Sequence, residues 1–483
     1  MAAVRGTDYV PGDVLKTLDE LADMDDARCG AYTLYEEFYN GDRGAALRDR
    51  AREYLVRYGV PFCENFCEPV VDALAERLEV VGFQSSLAET DETTGMVTDP
   101  AGSLAEAWWQ AARMDGLQTV VHTQALIKGD DFLIVEWDSV AGRPVFTRQR
   151  TSQVRVFYSD DEPDLIEVAS KRWNTRTVGP LNPRGRTIQR LNLYYPERVE
   201  KWYRPHTGTD GRGGWDRWQD PGDTGWPIPW VDGEGRPLGV AVVHFRNKPL
   251  GDGKGRSRVR PVIPFQEQLN KYAADLNDLI DNHALPQDYV TGVTGDADLK
   301  RIPGDIWKFT SAEAGVGRLD ASPASVILEP IEALLSRLAR RSRVPMHLLT
   351  GGTPPSGEAL KTAESGLVAQ AKACQVEFGN SWEQAVLLAV RLAATYGNDE
   401  TMAALAGADD ELRIKAQWTN PETRSDSDDL GVAEAKHRLG VSRATLLREL
   451  GYDPEKEAER RSGEQADAAE ALGRALGDSG FGD

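Results

Sequence analysis

An alternating-glycine loop occupies a position in the chain where a phosphate-binding loop would be credible. The motif Gly251-x-Gly253-x-Gly255 follows a strand-like run and precedes a helical pattern, which is the setting in which nucleotide loops occur. A dinucleotide-binding loop needs its third glycine where Arg256 stands, and a P-loop needs Gly-Lys-Ser/Thr, whereas Lys254 here precedes its glycine. The motif therefore fits a flexible link better than a nucleotide site, and we predict no bound cofactor.

The other chemistry-bearing side chains form no recognisable catalytic or metal-binding pattern. The six histidines are dispersed and include no His-Glu-x-x-His motif. Cys63 and Cys67 are four residues apart, which matches neither a redox pair nor a closed zinc site. Asp130 and Asp131 border a strand-like segment, where acids are common in turns. We therefore predict neither a metal site nor an enzyme active site.

One basic cluster interrupts an otherwise acidic chain. It consists of Arg337, Arg340, Arg341 and Arg343, and Glu332 is the only acid near them. These four arginines and one glutamate give a local net charge of +3, against -21 for the whole chain. Two interpretations stay open. The arginines either complement the negative end of a helix dipole and pair with carboxylates of another subunit, or they contact phosphate groups.

The clearest element near these residues is a very long helix over 357–396. Apolar side chains recur there at helical spacing and no proline interrupts the run, which at 1.5 Å per residue would extend roughly 60 Å. Two shorter amphipathic helices are predicted before it, one from about Pro261 to His283 and one that begins at Pro330. The apolar stripe of the long helix consists of Leu360, Ala363, Leu367, Ala371, Cys374, Phe378, Trp382, Ala385, Ala389, Leu392 and Tyr396.

The preceding half of the chain predicts helices followed by strands. Helical spacing occurs over 13–80, with a break at Pro61, and again over 103–128. Four tryptophans in the loop 205–237 are expected to pin that loop to the fold. The spacing of the strand-like runs predicts a meander, and two further short runs lie between the shorter helices. The strand-like runs are 132–137, 145–149, 153–158, 165–173, 191–203, 240–246, 288–293 and 305–309.

Ordered segments of this sequence are also found, in the same order, in one known family. The segments are Tyr35–Gly41, Asn65, Val70–Leu78, Gly255–Ser257, Pro286–Gly292, Val344–Pro345 and Ser356–Leu360. Together they resemble the portal proteins of tailed double-stranded DNA bacteriophages, in the SPP1-type group that includes many actinobacterial phage portals.

The resemblance implies an α+β portal fold. Its parts are an α/β wing, a two-helix stem, a small clip, a long wing helix and a helical crown. The implied boundaries are 1–257 for the N-terminal wing, 258–283 for stem helix 1, 284–325 for the clip, 326–343 for stem helix 2, 344–356 for the tunnel loop, 357–424 for the long helix and following wing segment, and 425–483 for the crown and acidic C-terminal tail.

The resemblance also implies a function and a set of partners. The chain would form a ring, by family a dodecamer, at one capsid vertex, where DNA is packaged and later ejected through the channel. Expected partners are further copies of the chain, duplex DNA, the terminase large subunit, the major capsid or scaffolding protein, and head-completion (adaptor) proteins. In such a channel the phosphate interpretation of the arginine cluster becomes contact with DNA, and pairing with a neighbouring subunit stays open. The implied tunnel-loop residues are Val344, Pro345, His347, Thr350, Gly351, Gly352, Thr353, Pro354, Pro355 and Ser356.

Charge and terminal sequence agree with this expectation. A net charge of -21 disfavours a general DNA-binding surface, yet an acidic channel wall would let DNA slide without strong phosphate contacts. The N-terminus lacks the apolar region of a signal peptide, and no apolar run reaches the roughly 18 residues of a membrane span. We therefore expect assembly in the host cytoplasm, a final location in the virion, and no membrane partner.

Two alternatives remain at this point. The chain could be another virion structural protein, such as a minor head protein or adaptor, which would lack a self-closing ring with a central channel. It could also be a nucleotide-dependent enzyme that uses the Gly251–Gly255 loop, and nucleotide-dependent thermal stabilisation would favour that reading.

Overall fold

A computed structural model describes thirteen main stretches of the chain and isolated positions up to 461. The main stretches are 28–42, 64–90, 97–179, 182–205, 215–223, 225–251, 253–283, 288–292, 313–318, 325–352, 357–397, 412–422 and 426–441. The chain divides into two compact units. The first comprises 1–36, 70–260 and 353–483, and the second comprises 37–69 and 261–352.

Helices and strands of the described residues are numbered here in chain order. The helices are α1 28–39, α2 Cys67–Ala75, α3 Pro100–Ala111, α4 Met114–Lys128, α5 Ile263–His283, α6 Ser325–Ser342, α7 Met346–Thr350, α8 Gly357–Tyr396 and α9 Asp426–Arg438. The strands are β1 Val80–Ser85, β2 Glu89–Thr90, β3 Val97–Thr98, β4 Asp130–Asp138, β5 Arg143–Gln149, β6 Val154–Tyr158, β7 Ile166–Gly179, β8 Asn182–Tyr194, β9 Arg198–Pro205, β10 Asp216–Arg217, β11 Ile228–Pro229, β12 Val242–Arg246, β13 Asp288–Thr291, β14 Gly315–Arg318 and β15 Ile414–Trp418.

The predicted meander is present in the first unit, but it holds only some of the expected strands. Strands β6 to β10 lie in sequence order in one sheet, and β11 also pairs with β9. Strands β4, β5 and β12 form a separate three-stranded sheet. The single strand predicted over 191–203 is wrong, because the chain turns at Pro196 and the Tyr195 N–H bonds the Arg198 carbonyl. Two antiparallel strands result.

The helix predicted over 103–128 is also two helices. Arg113 has a left-handed backbone with φ 55°, which separates α3 from α4. The second helix ends at Gly129, whose φ of 98° turns the chain directly into β4. Helix α4 thereby delivers Asp130 and Asp131 into the core, where both are buried.

The long helix is confirmed at 40 residues, over the predicted range. From Leu367 to Leu392 its stripe is buried, and Phe378 and Trp382 are fully enclosed. Trp382 stacks edge-on against Trp109 and Phe245, with ring centroids 5.0 and 4.6 Å apart. The helix therefore forms the centre of the first unit's apolar core, packed against β4, β5, β12 and β15.

The stripe prediction is wrong for the first turns of α8. Ala363 is exposed and Leu360 only half-buried, whereas Glu364, predicted to be on the polar face, is 4% exposed. The Glu364 carboxylate lies 3.3 Å from the Arg77 guanidinium. A charge pair thus replaces apolar packing at this end of the helix, and a pattern of apolar residues could not reveal it.

The tryptophan loop is pinned as predicted, through indole hydrogen bonds. Trp218 donates to Asp220 at 2.7 Å, Trp226 to the Lys201 carbonyl at 3.0 Å, and Trp230 to the Gly239 carbonyl at 2.7 Å. The Trp226 bond ties the loop to β9 of the six-stranded sheet, and the other two bonds close within the loop.

Two helices form most of the second unit. Buried residues Leu269 and Ala273 of α5 and Leu335 and Leu338 of α6 lie on faces that pack together, as predicted. Helix α6 begins at Ser325, so placing Pro330 at its first position was wrong. Pro330 lies inside the helix and removes one backbone donor there.

A small antiparallel hairpin lies between these helices in sequence. Strand β13 was predicted, but its partner is β14 at 315–318. The predicted strand 305–309 falls outside the described residues, as do the helical pattern over 13–22 and most of the chain after 441.

Candidate functional site

The predicted arginine cluster lies along one exposed face at the C-terminal end of α6. Arg337, Arg340 and Arg341 are spaced by three and four positions, so they share a side of the helix away from the buried Leu338. Arg343 follows the helix in a left-handed conformation with φ 57°. All four arginines are exposed, and none forms an ion pair with a residue that the structure describes.

The segment predicted as a tunnel loop is more ordered than expected over its first half. Pro345 precedes the short helix α7, and Gly351 ends it in a left-handed conformation with φ 64°. The Gly351 N–H donates to the His347 carbonyl at 3.1 Å. Val344, Pro345 and Leu349 are buried, whereas Thr350, Gly351 and Gly352 are exposed. Thr353, Pro354, Pro355 and Ser356 lie outside the described residues.

Tyr39-Asn40-Gly41, the end of the first family-like segment, is a helix stop. The Gly41 N–H bonds the Phe38 carbonyl and the Asp42 N–H bonds the Glu37 carbonyl, the two hydrogen bonds of a Schellman cap. Gly41 has a φ of 72°, which only glycine adopts without strain. The sequence therefore carried a local signal for this cap.

Asn65, another family-like position, completes that cap from a distant segment. Its amide donates to the Tyr39 carbonyl at 2.6 Å, and its Oδ1 accepts from the Cys67 N–H at 3.0 Å at the start of α2. One side chain thus satisfies the end of one helix and the beginning of the next. This role was missed, because no sequence pattern connects the two segments.

Gln266 of α5 was also missed by sequence reasoning. It is 1% exposed, accepts from the Phe66 N–H at 2.8 Å, and donates to the Glu64 carbonyl and to Asn270. The amide therefore fixes the 64–66 backbone against α5 in the second unit. A polar residue in an amphipathic helix gives no signal of such a partner.

Close packing explains why glycines stand at positions 253 and 255 of the glycine loop. A Cβ on Gly255 would lie 1.7 Å from the Gly129 carbonyl oxygen, so the two backbones meet where no side chain fits. A Cβ on Gly253, whose φ is 67°, would lie 2.8 Å from the Tyr158 ring. The Gly255 N–H, which a phosphate would need, donates instead to Asp130 at 2.8 Å.

Asp130 is the centre of a buried polar network in the first unit. Its carboxylate accepts from the Tyr32 hydroxyl at 2.7 Å and lies 2.9 Å from His244 Nε2. Tyr158 completes the chain at 2.9 Å from His244 Nδ1. Burial alone would raise the pKa of Asp130, but the hydrogen bonds and charge of His244 hold it below its usual value. The network ties α1, β4, β12 and the glycine loop together.

Asp131, next in sequence, forms a separate ion pair with Arg148. Its carboxylate binds the Arg148 guanidinium at 2.6 and 3.0 Å and accepts from Thr151 at 2.9 Å. Burial raises its pKa to about 6, with Arg148 opposing that shift. The two adjacent acids thus face different partners and do not form a paired acid and base.

Within the stretches that the structure describes, no group of three His, Cys, Asp or Glu side chains is placed to hold a metal ion. The search for an apolar helix of membrane-spanning length, made over the same described residues, found none.

Comparison with known proteins agrees with the family resemblance indicated by the ordered segments. The sequence matches the family model described as phage portal protein, SPP1 Gp6-like, over residues 18–471. It is similar to the portal protein of Mycobacterium phage D29, with 24% identity over 442 residues that cover 83% of this chain and 79% of that protein. It is also similar to the portal protein of Mycobacterium phage L5, with 23% identity over 474 residues, 90% of this chain and 85% of that protein.

These matches confirm the resemblance and the α+β fold expected with it, and they favour a portal over a minor head protein or adaptor. The family model spans nearly the whole sequence, including both units and the arginine-bearing helix. The chain therefore belongs to the phage portal protein family of the SPP1 Gp6-like type.

Proposed function

We propose that this portal chain assembles as a closed dodecameric ring at one capsid vertex, and that DNA enters and leaves the head through its central channel. The ring docks the terminase large subunit during packaging and head-completion proteins afterwards, and it lies against the major capsid or scaffolding protein. Assembly takes place in the host cytoplasm. We assign no catalytic step to the chain, since ATP hydrolysis belongs to the terminase. Family membership supports this scheme.

In this proposal α5 and α6 form the stem, 284–325 the clip, and 344–356 the tunnel loop. The long helix α8 belongs to the wing, and 425–483 supplies the crown and tail. The packing of α5 on α6 through Leu269 and Leu338 supports the stem assignment. The short helix α7 and the Gly351 cap make the first part of the tunnel loop a structured element that can move as one piece.

The observation that carries the DNA-contact assignment is the exposed arginine face of α6. Four guanidinium groups without an ion-pair partner among the described residues stand on a chain with a net charge of -21. On an acidic channel wall, a few exposed cations would meet phosphates transiently without holding the DNA in place. We place Arg337, Arg340, Arg341 and Arg343 in that role.

Charge reversal of Arg340 and Arg341 tests this role. We expect the Arg340→Glu/Arg341→Glu variant to form normal rings by electron microscopy and mass photometry, but to package at least tenfold less DNA in a phage that lacks its own portal, because phosphate attraction becomes repulsion. The matched control is Arg340→Lys/Arg341→Lys, which keeps the charge and should package normally.

The other outcomes are equally decisive. Weakened rings in the reversed variant would assign these arginines to carboxylates of a neighbouring subunit. Normal rings with full packaging would remove the DNA-contact assignment. A wild-type protein that stays monomeric across a broad range of concentration and salt would overturn the ring itself.

A further inference from the structure

The β7–β8 hairpin is strongly basic within an acidic chain. Residues 166–194 contain six lysines and arginines and one acid, a net charge of +5. Subtracting this +5 from the chain's -21 leaves -26 on the remainder. The hairpin is therefore a second basic region of an acidic chain, besides the arginine cluster of α6.

On one face of the six-stranded sheet, arginines lie around a buried patch of Leu191 and Trp202 that is packed against Trp226. Arg172 lies opposite Leu191, Leu191 opposite Trp202, and Trp202 opposite Arg217, so these residues form one row across four strands. Arg176 returns to the same face four residues after Arg172, because side chains alternate along a strand. We call Arg172, Arg176 and Arg217 the arginine face.

None of these three arginines pairs with a carboxylate of the described residues, although Glu200 on the same side of the sheet binds Arg198 at 2.9 Å. Arg176 and Arg217 are exposed and Arg172 is half-buried. The Arg217 guanidinium lies over the Trp226 ring at 4.3 Å, which positions it without neutralising it.

On the opposite face of the same sheet, carboxylates of the same chain pair with two basic side chains. There the Lys201 ammonium lies 2.8 Å from Asp220 and 2.7 Å from Asp223, and the Arg190 guanidinium lies 3.3 Å from Asp220. The tryptophan loop brings these carboxylates to the sheet. Its carboxylates reach Lys201 and Arg190 and none of Arg172, Arg176 and Arg217.

The complementary charge stands at the other end of strand β7. The turn from β6 to β7 carries four exposed acids, Asp160, Asp161, Glu162 and Asp164, which we call the acidic turn; Asp164 pairs with Arg246 of its own chain at 3.2 Å. It is separated from Arg176 by ten strand residues, about 33 Å at the usual rise. The two charged surfaces therefore cannot meet within one copy along this strand.

We infer that the arginine face binds the acidic turn of a neighbouring copy of this chain. The inference rests on the proposed ring, because a closed ring joins two different surfaces of each subunit, and these two surfaces have opposite charge. Duplex DNA is the competing occupant, and gel-shift binding of nonspecific duplex distinguishes it from the neighbouring copy.

A charge swap within one chain tests the pairing. We expect Arg172→Glu/Arg176→Glu to raise the concentration at which half the subunits are in rings by about tenfold or more in mass photometry at low salt, because like charges then face each other. The control Arg150→Glu/Arg461→Glu makes the same charge change at two other exposed arginines and should stay within about threefold of wild type.

Adding Asp161→Arg/Glu162→Arg to the reversed variant restores opposite charges across the contact. We expect this fourfold variant to assemble within about threefold of wild type. Thermal melts of dilute subunits check that each variant folds, because Arg172 is half-buried.

Three results would overturn the inference. Rings of the reversed variant that assemble like the control would remove the arginine face from the interface. Failure of the fourfold variant to recover would remove the acidic turn as its partner. Intact rings with lost gel-shift binding of nonspecific duplex would reassign the face to nucleic acid. Monomeric wild type would overturn the proposed ring as well, so the two failures are distinguishable.

Discussion

At the scale of single residues, Trp382 has more structural consequence than any charged candidate. Its indole packs between Trp109 and Phe245 and donates to His122 Nε2 at 2.9 Å. We expect Trp382→Ala to lower the free energy of unfolding by about 3–5 kcal/mol, because truncation leaves a cavity and an unpaired ring nitrogen. Denaturant melts measure the loss.

The control for that substitution comes from the same helix. Glu383 is unsuitable, because its carboxylate binds Lys415 at 3.0 Å and the Ala416 N–H at 3.3 Å. Gln384 is exposed, so Gln384→Ala should change stability by less than about 0.5 kcal/mol. Equal melts for the two variants would show that the helix does not present Trp382 to the core.

His122 makes the same core sensitive to acid. Burial lowers its pKa to about 4, and its ring is held between the Leu78 carbonyl and the Trp382 indole N–H, which fits the neutral form. The unfolded chain takes up this proton near pH 6.5 and the folded chain only near 4. Stability from this group is therefore full above pH 6.5 and is lost as the pH falls toward 4.

We expect wild type to lose about 2 kcal/mol more than His122→Gln between pH 6.5 and 5, since each pH unit in that window costs about 1.4 kcal/mol. Urea titrations of both proteins at the two pH values give the comparison. Parallel pH profiles would mean that the pKa of His122 is the same in the folded and the unfolded chain.

At the scale of elements, two neighbouring glycines follow α7, and substitution of one serves as the control for substitution of the other. Gly351 has a φ of 64°, whereas Gly352 has no positive φ. We expect Gly351→Ala to cost about 1 kcal/mol and to reduce DNA retention while rings persist, because alanine strains the helix stop. Gly352→Ala should retain DNA like wild type.

Counting rings by electron microscopy and measuring DNA per particle separates assembly from transport. Identical DNA retention by the two alanine variants would show that the conformation at Gly351 does not matter to the channel. Loss of rings in both would move the segment from the channel to the subunit interface.

The elements that sequence predicted best are those that a local pattern determines. Helix α8 was placed correctly because its apolar period continues without proline. The start of α6 was missed because the turn before Pro330 has little periodicity and is largely exposed. The split between α3 and α4 was missed because Arg113 adopts a left-handed conformation, which an arginine in the sequence does not indicate.

At the scale of the whole molecule, the unpredicted part is the set of polar contacts between distant segments. Gln266 lies 200 residues from Phe66, whose N–H it accepts, and Arg77 lies 287 residues from Glu364. Each pair needs the fold to bring it together, so no local spacing encodes it. The family resemblance predicted the ordered segments and the architecture, but not the arginine face, because its residues meet only across paired strands.

Helix α8 also has a mechanical property that follows from where it is held. Beyond Leu367 its inner face is clamped in the core, whereas its first turns are anchored by the Glu364–Arg77 contact and otherwise stand largely in solvent. A stiff helix held along most of its length bends mainly near the end that is held least. Force applied at the start of α8 should therefore load the Glu364–Arg77 pair before it reaches the apolar core.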